Sequence, residues 1–338
     1  MVKIFVITGA SGLVGSTIET SLKQQGFEVK TLKRWDINNS LTEKDLANEK
    51  KYFWSNPEVL EGAEAVIHLA GANVGLPWSK QHKSEILSSR VNGTKDLVHC
   101  LKECKNPPKR IVSASAIGYY PDPNSSTITE NTEKGTGFLS DVCSVWEQET
   151  HPLKEIMEVY TIRIGLVLSN RSKLLQASYY QYVLSGMVGS TGSGNNVWSW
   201  IHIQDLTRTF IESSLGNIPS GIYNGVSPHV SFQKDVGLAV EQYPLNLAGQ
   251  NTVLQALQLL GNFLNGVWRS LRWLSGGKSL HIRPIIPGFI MRIAWGERSV
   301  LALTNQRVSS QKLLDAGFTF QYPTIQQAIQ HLSKNPTV

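Results

Sequence analysis

The chain has 338 residues, 41% hydrophobic and 17% charged, which excludes a disordered protein and leaves room for one large or two intertwined domains. Its net charge of +6 and pI near 9.1 suit an anionic ligand, yet the lysines and arginines are scattered and form no basic-aromatic module. That points to a phosphorylated small molecule and away from nucleic acid.

The first run, residues 3–8, is apolar and β-branched, as in a strand buried on both faces. No basic leader precedes it and no window of the chain reaches membrane-spanning length, so a cytoplasmic location is expected. The run opens into Gly9-Ala10-Ser11-Gly12-Leu13-Val14-Gly15, and a helix ending at Gly26 follows. Missing side chains at Gly9, Gly12 and Gly15 let the backbone turn tightly, approach a pyrophosphate and present helix amides to it. Gly9, Ser11, Gly12, Leu13, Val14 and Gly15 are therefore read as cofactor-binding; the plainer alternative is an ordinary glycine-rich loop. The second strand, residues 28–34, ends on Lys33 and Arg34, where an acidic residue would hold ribose hydroxyls. Cations there favour a 2′-phosphate and hence NADP, although a solvated basic pair is an alternative and Asp36 keeps NAD open.

Further strands at 63–71, 109–116 and 159–168 alternate with helical stretches such as 80–102. This alternation predicts an α/β fold, a Rossmann-type doubly wound parallel sheet. After Val167 the texture changes and residues 186–194 are rich in glycine and serine. The expected division is a nucleotide-binding domain over 1–168, with 199–224 packing back on it, and a smaller C-terminal α/β lobe over 169–338. Such a lobe covers the strand ends, where these sheets bind ligands. Three cysteines, Cys100, Cys104 and Cys143, show no metal-ligand spacing, and their odd number argues against a disulfide framework.

The glycine loop, HLAG at 68–71, SASAIGYY at 113–120 and WIHIQDL at 200–206 together resemble an extended short-chain dehydrogenase/reductase. WSKQHKSEILSSRVNGT at 78–94, RIGLVLS at 163–169, YNGVSP at 223–228 and WGERSVLALTNQRVSSQKLLDAGFTFQYP at 295–323 narrow the resemblance. They are similar to the SDR39U1-like or YfcH-like epimerase family, which carries a DUF1731-like C-terminal segment. The resemblance implies an oxidoreductase or epimerase-like protein using NADP(H). By position it places Lys33 and Arg34 at the adenosine phosphate, the backbone of Leu69, Ala70 and Gly71 under the nucleotide, and Val167 near the nicotinamide. It also brings Glu85 and Arg90 to the cofactor; five apart on one predicted helix, they can face a common region without stacking, the alternative being a surface salt bridge. Against the family, residues 246–281 read as an insertion. Within 251–278, roughly helical apolar positions end in Arg269, Arg272 and Lys278, which fits a membrane surface, a partner subunit, or a helix-turn-helix covering the lobe's own core.

In the wider superfamily a serine or threonine, a tyrosine and a lysine four residues later transfer the proton, the lysine cation lowering the tyrosine pKa. Ser115 is the matching hydroxyl. At the Tyr-xxx-Lys spacing this chain has Cys143 and Glu147. A carboxylate beside a thiol raises the thiol's pKa, so Cys143 is a poor substitute for an activated tyrosine, while Glu147 can accept a ribose hydroxyl. Tyr119, Tyr120 and His202 are the candidate replacements, each with a packing role as the alternative. Two functions follow: an NADP(H)-dependent enzyme acting on a small, nucleotide-linked or sugar-like substrate, or a non-enzymatic NADP(H)-responsive sensor. The second gains from relatives described as cell-division factors.

Overall fold

The computed structural model describes residues 2–34, 54–122, 126–172, 175–176, 190–191, 194–243, 245, 285–286, 293 and 296–338. Asp36 and the 246–281 insertion lie outside the described residues. The first half runs through β1 (Ile4–Thr8), α1 (Leu13–Gln24), β2 (Glu28–Leu32), β3 (Ala65–His68), α2 (Lys80–Glu103), β4 (Arg110–Ala116), β5 (Thr127–Ile128), α3 (Phe138–Glu149), β6 (Glu158–Ile164) and β7 (Leu166–Leu168). The second half holds β8 (Ser190–Thr191), β9 (Val197–Trp198), β10 (Trp200–His202), α4 (Ile203–Leu215), β11 (Gly221–Gly225), β12 (Ser231–Phe232) and α5 (Gln233–Gln242). It continues with β13 (Ile285–Ile286), α6 (Val300–Leu303), β14 (Arg307–Val308), α7 (Gln311–Asp315) and α8 (Ile325–Lys334).

Six strands pair in parallel in the order β2-β1-β3-β4-β6-β11, the doubly wound α/β sheet that the alternation predicts. Side chains alternate between the two faces of each strand. Phe5 and Ile7 of β1 therefore pack with Ile18 and Leu22 of α1 and Leu206 and Phe210 of α4, while Val6 packs with Leu97 and Leu101 of α2. From β1 the chain crosses to one side for β2 and returns to the other for β3. Strand order reverses there, which opens a crevice at the carboxyl ends of β1 and β3. Residues 9–15 and 69–71 sit at that crevice.

Residues 159–168, read from sequence as one strand, are two. A Cβ on Gly165 would lie 2.4 Å from the Ser199 carbonyl oxygen, so the chain can pass close there only as glycine. β6 remains in the central sheet and β7 leaves it to pair with β10. Leu168, Trp198, Trp200, Val236, Val240, Ile325, Ile329 and Leu332 make the second core, that of the smaller C-terminal lobe. α4 and β11 return to the central sheet, and Leu313 and Phe318 enter its core.

Candidate functional site

On the side of the glycine loop, Gly9 has φ +72°, and a Cβ there would stand 3.0 Å from Ala70 N and from Leu69 C. A Cβ on Gly15 would stand 2.3 Å from the Gly9 carbonyl oxygen. The loop is thus folded flat between the Leu69–Ala70 backbone and the first turn of α1, with Ser11 and Gly12 exposed beside it. Gly12 is the N-cap of α1 and has no side chain to cap it, which leaves the Leu13, Val14 and Gly15 amides without intrahelical partners. Thr8 Oγ1 accepts from Leu69 N at 3.1 Å and Ala70 N at 3.2 Å and lies 2.8 Å from His68 Nδ1. His68 Nε2 in turn lies 2.9 Å from Thr94 Oγ1. Burial, aided by the Arg90 charge, pushes the His68 pKa down to about 3, so this ring is a neutral strut holding 69–70 in place. At the end of β2, Lys33 and Arg34 are exposed, their backbone fixed by Asn56 Oδ1 accepting from Lys33 N and by the Arg34–Trp54 bridge.

Ser79 caps α2 by accepting from His82 N, and the helix then separates the two residues expected to share a region. Glu85 is exposed, 3.1 Å from His82 Nδ1. Arg90, about 140° further round the helix, turns inward. Its guanidinium lies against Gly71, 5.0 Å from the Trp146 ring, and Nη1 donates to Ala72 O at 3.1 Å and Ile86 O at 3.3 Å. Among the described residues no carboxylate pairs with it, and burial lowers its pKa. A half-buried guanidinium with carbonyls and a ring for company retains, among the described residues, unused donors at the crevice wall.

On the other wall, β4 carries Ser115, α3 carries Cys143 and Glu147, and β6 carries Arg163, the register partner of Ser115. All four are buried. Ser115 Oγ donates to Glu147 Oε1 at 2.6 Å. Arg163 grips the same carboxylate from two nitrogens, Nε to Oε1 at 2.9 Å and Nη2 to Oε2 at 2.7 Å. Burial opposes the Arg163 cation, but the Glu147 hydrogen bonds outweigh it and raise its pKa. Arg163 Nη1 also donates to Tyr120 Oη at 2.9 Å, and Tyr120 Oη donates to Asn224 Oδ1 at 2.7 Å. Asn224 Nδ2 reaches Ser309 O at 3.0 Å. A continuous chain of hydrogen bonds, buried from Asn224 inward, therefore runs from the C-terminal segment to Ser115. Burial first, and the Glu147 charge second, push the Cys143 thiol up to about 11.

Arg163 and Asn224 are the residues that sequence reasoning missed. The available signal was a lone arginine in the otherwise apolar stretch VYTIRIG, since a cation in a core strand needs a partner. Tyr120 is buried, its pKa pushed up to about 12 by burial, and its hydroxyl is held at both ends. Tyr119 is half-buried with the Arg163 guanidinium 3.6 Å from its ring centre. Its carbonyl accepts from Gly135 N and Ser140 Oγ, while its hydroxyl makes no hydrogen bond among the described residues. His202 lies elsewhere, as the N-cap of α4. Its Nδ1 accepts from Gln204 N at 3.1 Å, and its Nε2 faces His331 Nδ1 at 3.2 Å under the Tyr322 ring. Val167 is half-buried in β7. Among the described residues, no helix is long and apolar enough to cross a membrane and no cluster of three His, Cys, Asp or Glu could hold a metal.

Residues 5–213 match the NAD dependent epimerase/dehydratase family, and residues 286–332 match a domain of unknown function, DUF1731. An epimerase family protein of Staphylococcus haemolyticus is 29% identical over 98% of this chain and 99% of its own. The crystal structure of human epimerase family protein SDR39U1 (isoform 2) with NADPH superposes with a TM-score of 0.75 at 21% identity, over 98% of this chain and 99% of that one, which shows the shared fold. A nucleoside-diphosphate sugar epimerase from Corynebacterium glutamicum superposes with a TM-score of 0.68 at 27% identity, over 99% of this chain and 59% of that one.

Proposed function

The chain belongs to the NAD dependent epimerase/dehydratase family, and on that basis we propose that it is an NADP(H)-dependent oxidoreductase or epimerase acting on a small, nucleotide-linked or sugar-like substrate. The observation that carries this reading is the glycine cradle at the point where strand order reverses, with Gly9 against Leu69–Ala70 and Gly15 against Gly9. A pyrophosphate fits the Leu13–Gly15 amides, and Lys33 and Arg34 suit the adenosine 2′-phosphate. Arg90 suits an anionic or hydroxyl group further along the cofactor. The similarity to a human protein solved with NADPH supports the phosphorylated form. Such a cofactor, when bound, gives or takes a hydride at its nicotinamide. Ser115 sends its proton to Glu147, which leaves its oxygen lone pairs to accept from a substrate hydroxyl. Tyr120 is committed at both ends, so Tyr119 is the phenol that remains for proton transfer.

Titration with NADPH and NADH, followed by nucleotide fluorescence, tests the cofactor. Lys33→Ala/Arg34→Ala is expected to weaken NADPH at least tenfold, since a charge-assisted contact is worth about 1.5–3 kcal/mol, and to leave NADH nearly unchanged. Equal losses for both nucleotides would remove the 2′-phosphate assignment.

A specific observation favours a second reading, a non-enzymatic NADP(H)-responsive sensor or cell-division-related scaffold. Where the wider superfamily places its tyrosine and lysine, Cys143 and Glu147 are buried, and Glu147 is engaged with Arg163 and Ser115. Retained NADPH binding, a nucleotide-dependent partner interaction and no turnover across a broad carbonyl panel would favour this reading over the enzyme.

A further inference from the structure

The stretch 296–310 is fastened unequally at its two ends. At 305–310 it is stitched into the molecule. Gln306 Nε2 donates to Tyr120 O at 3.1 Å and Pro121 O at 2.9 Å, and Ser199 Oγ donates to Gln306 O at 2.6 Å. Ser199 Oγ also accepts from Val308 N at 3.0 Å, and β14 pairs with β5. Gln306, Val308 and Ser310 are buried. At 296–298, among the described residues, the hold is polar and more open, and burial sets in at Ser299. Glu297 pairs with Lys83 of α2, and Arg298 Nη1 donates to the Gly75 carbonyl at 3.1 Å.

The partners at the open end belong to the crevice. Residues 71–79 continue directly from Leu69–Ala70, the backbone on which Gly9 lies, and lead into α2 with its inward Arg90. Lys83 also sits 5.2 Å from the centre of the Phe138 ring, and Phe138 packs on Trp78 with ring centres 5.3 Å apart. Phe138 is the first residue of α3, the helix that carries Cys143 and Glu147. The exposed end of the segment thus joins the loop that forms one wall of the crevice and, through Lys83, the helix that forms the other.

We infer that residues 296–298 are a clasp, which closes the crevice by holding the 71–79 loop and the start of α2, and which opens for nucleotide exchange by breaking the Lys83–Glu297 pair. This rests on the cofactor reading above. The stitched end is the fixed anchor, and the exposed end is the part that moves. The side chains of Lys83 and Glu297 keep 27% and 67% of their exposure, so salt screens the pair and a single reversal of charge defeats it. Arg298 adds direction by gripping a backbone carbonyl.

The test uses the full chain with NADPH as the probe, its release followed by stopped-flow fluorescence. Glu297→Lys, which sets two cations together, is expected to raise the release rate about fivefold, and the swap Lys83→Glu/Glu297→Lys to restore it. An unchanged release rate in Glu297→Lys, or a faster one that the swap does not restore, overturns the clasp. Hydrogen exchange of the 71–79 amides in the nucleotide-free protein provides a second measurement independent of the cofactor. Faster exchange in Glu297→Lys, reversed in the swap, supports the clasp even if NADPH does not bind, a result that would count against the cofactor reading alone. Exchange that is identical in all three proteins overturns the clasp.

Discussion

Glu147 accepts three hydrogen bonds in a buried setting, one from Ser115 and two from Arg163. Removing one partner of such a pair strands the other charge, which typically costs about 3–5 kcal/mol, whereas replacing both by apolar groups costs far less. Glu147→Ala is therefore expected to lower the free energy of unfolding by roughly that amount. Glu147→Leu/Arg163→Met should be less damaging than the sum of its single changes, as a double-mutant cycle in urea would show. Additive losses would mean that the two residues are not coupled. Sequence spacing was enough to single out Glu147, because it stands four residues after Cys143 on one helix. It was not enough to find its partner. Arg163 is sixteen residues away on a strand, β6, and only the register that sets Ser115 opposite Arg163 brings the three together. Tyr119 and Tyr120 were equally indistinct from sequence, since adjacent tyrosines have the same chemistry; burial and the grip of Asn224 separate them.

Among the elements, the β1–loop–α1 unit was the most legible, because an apolar β-branched run, three spaced glycines and a helix each have a local cause. The packing inside it is sharper than the motif. A Cβ at Gly15 would meet the Gly9 oxygen at 2.3 Å and Ala10 Cα at 2.9 Å, all backbone and unable to yield, whereas a Cβ at Gly12 would meet only the Gly9 oxygen, at 3.3 Å. Gly15→Ala should cost about 1–3 kcal/mol in stability, the usual penalty for overpacking, and Gly12→Ala much less. Thermal denaturation of the two variants checks the order, and a more stable Gly15→Ala would contradict the close packing of α1 on its loop. The break at Gly165 was not legible. Glycine inside a strand pattern has several meanings, and the Ser199 carbonyl that demands it here lies on another segment. The pairing of β5 with β14 was hidden for the same reason, two short stretches about 180 residues apart with no local signal.

For the whole molecule, alternation of strands and helices announced the parallel sheet, but not how the C-terminal stretch returns to it. The joint between lobes includes His202 and His331, and His68 supports the 69–70 backbone under the glycine loop; burial lowers the pKa of all three, His68 and His202 to about 3. Each is a group whose folded pKa lies below its unfolded value near 6.5. Below pH 6.5 the unfolded chain therefore binds more protons than the folded one, and stability falls as pH drops toward 3. His68 and His202 are fully buried and each adds a slope of about 1.4 kcal/mol per pH unit through that window. Glu61, its pKa lowered by the Asn106 and Lys105 backbone N–H groups, and Glu64, whose burial is outweighed by Lys109 and Arg110, act in the same sense; burial raises the pKa of Asp205, which opposes them at the acid end. At high pH the thiols govern. Burial lifts Cys143 and Cys104 to about 11 and Cys100 to about 12, so the unfolded thiols ionise first and stability is lost as pH rises above about 9. Urea midpoints measured from pH 4 to 10 should thus peak between about 6.5 and 9. His202→Asn keeps a side chain able to accept from Gln204 N while removing the titrating ring, and it should flatten the acid limb without moving the alkaline one. Because His331 lies 3.2 Å from His202, the two rings titrate as a unit and the variant reports on both. An acid limb as steep in His202→Asn as in the parent would mean that the joint between the lobes does not govern acid stability.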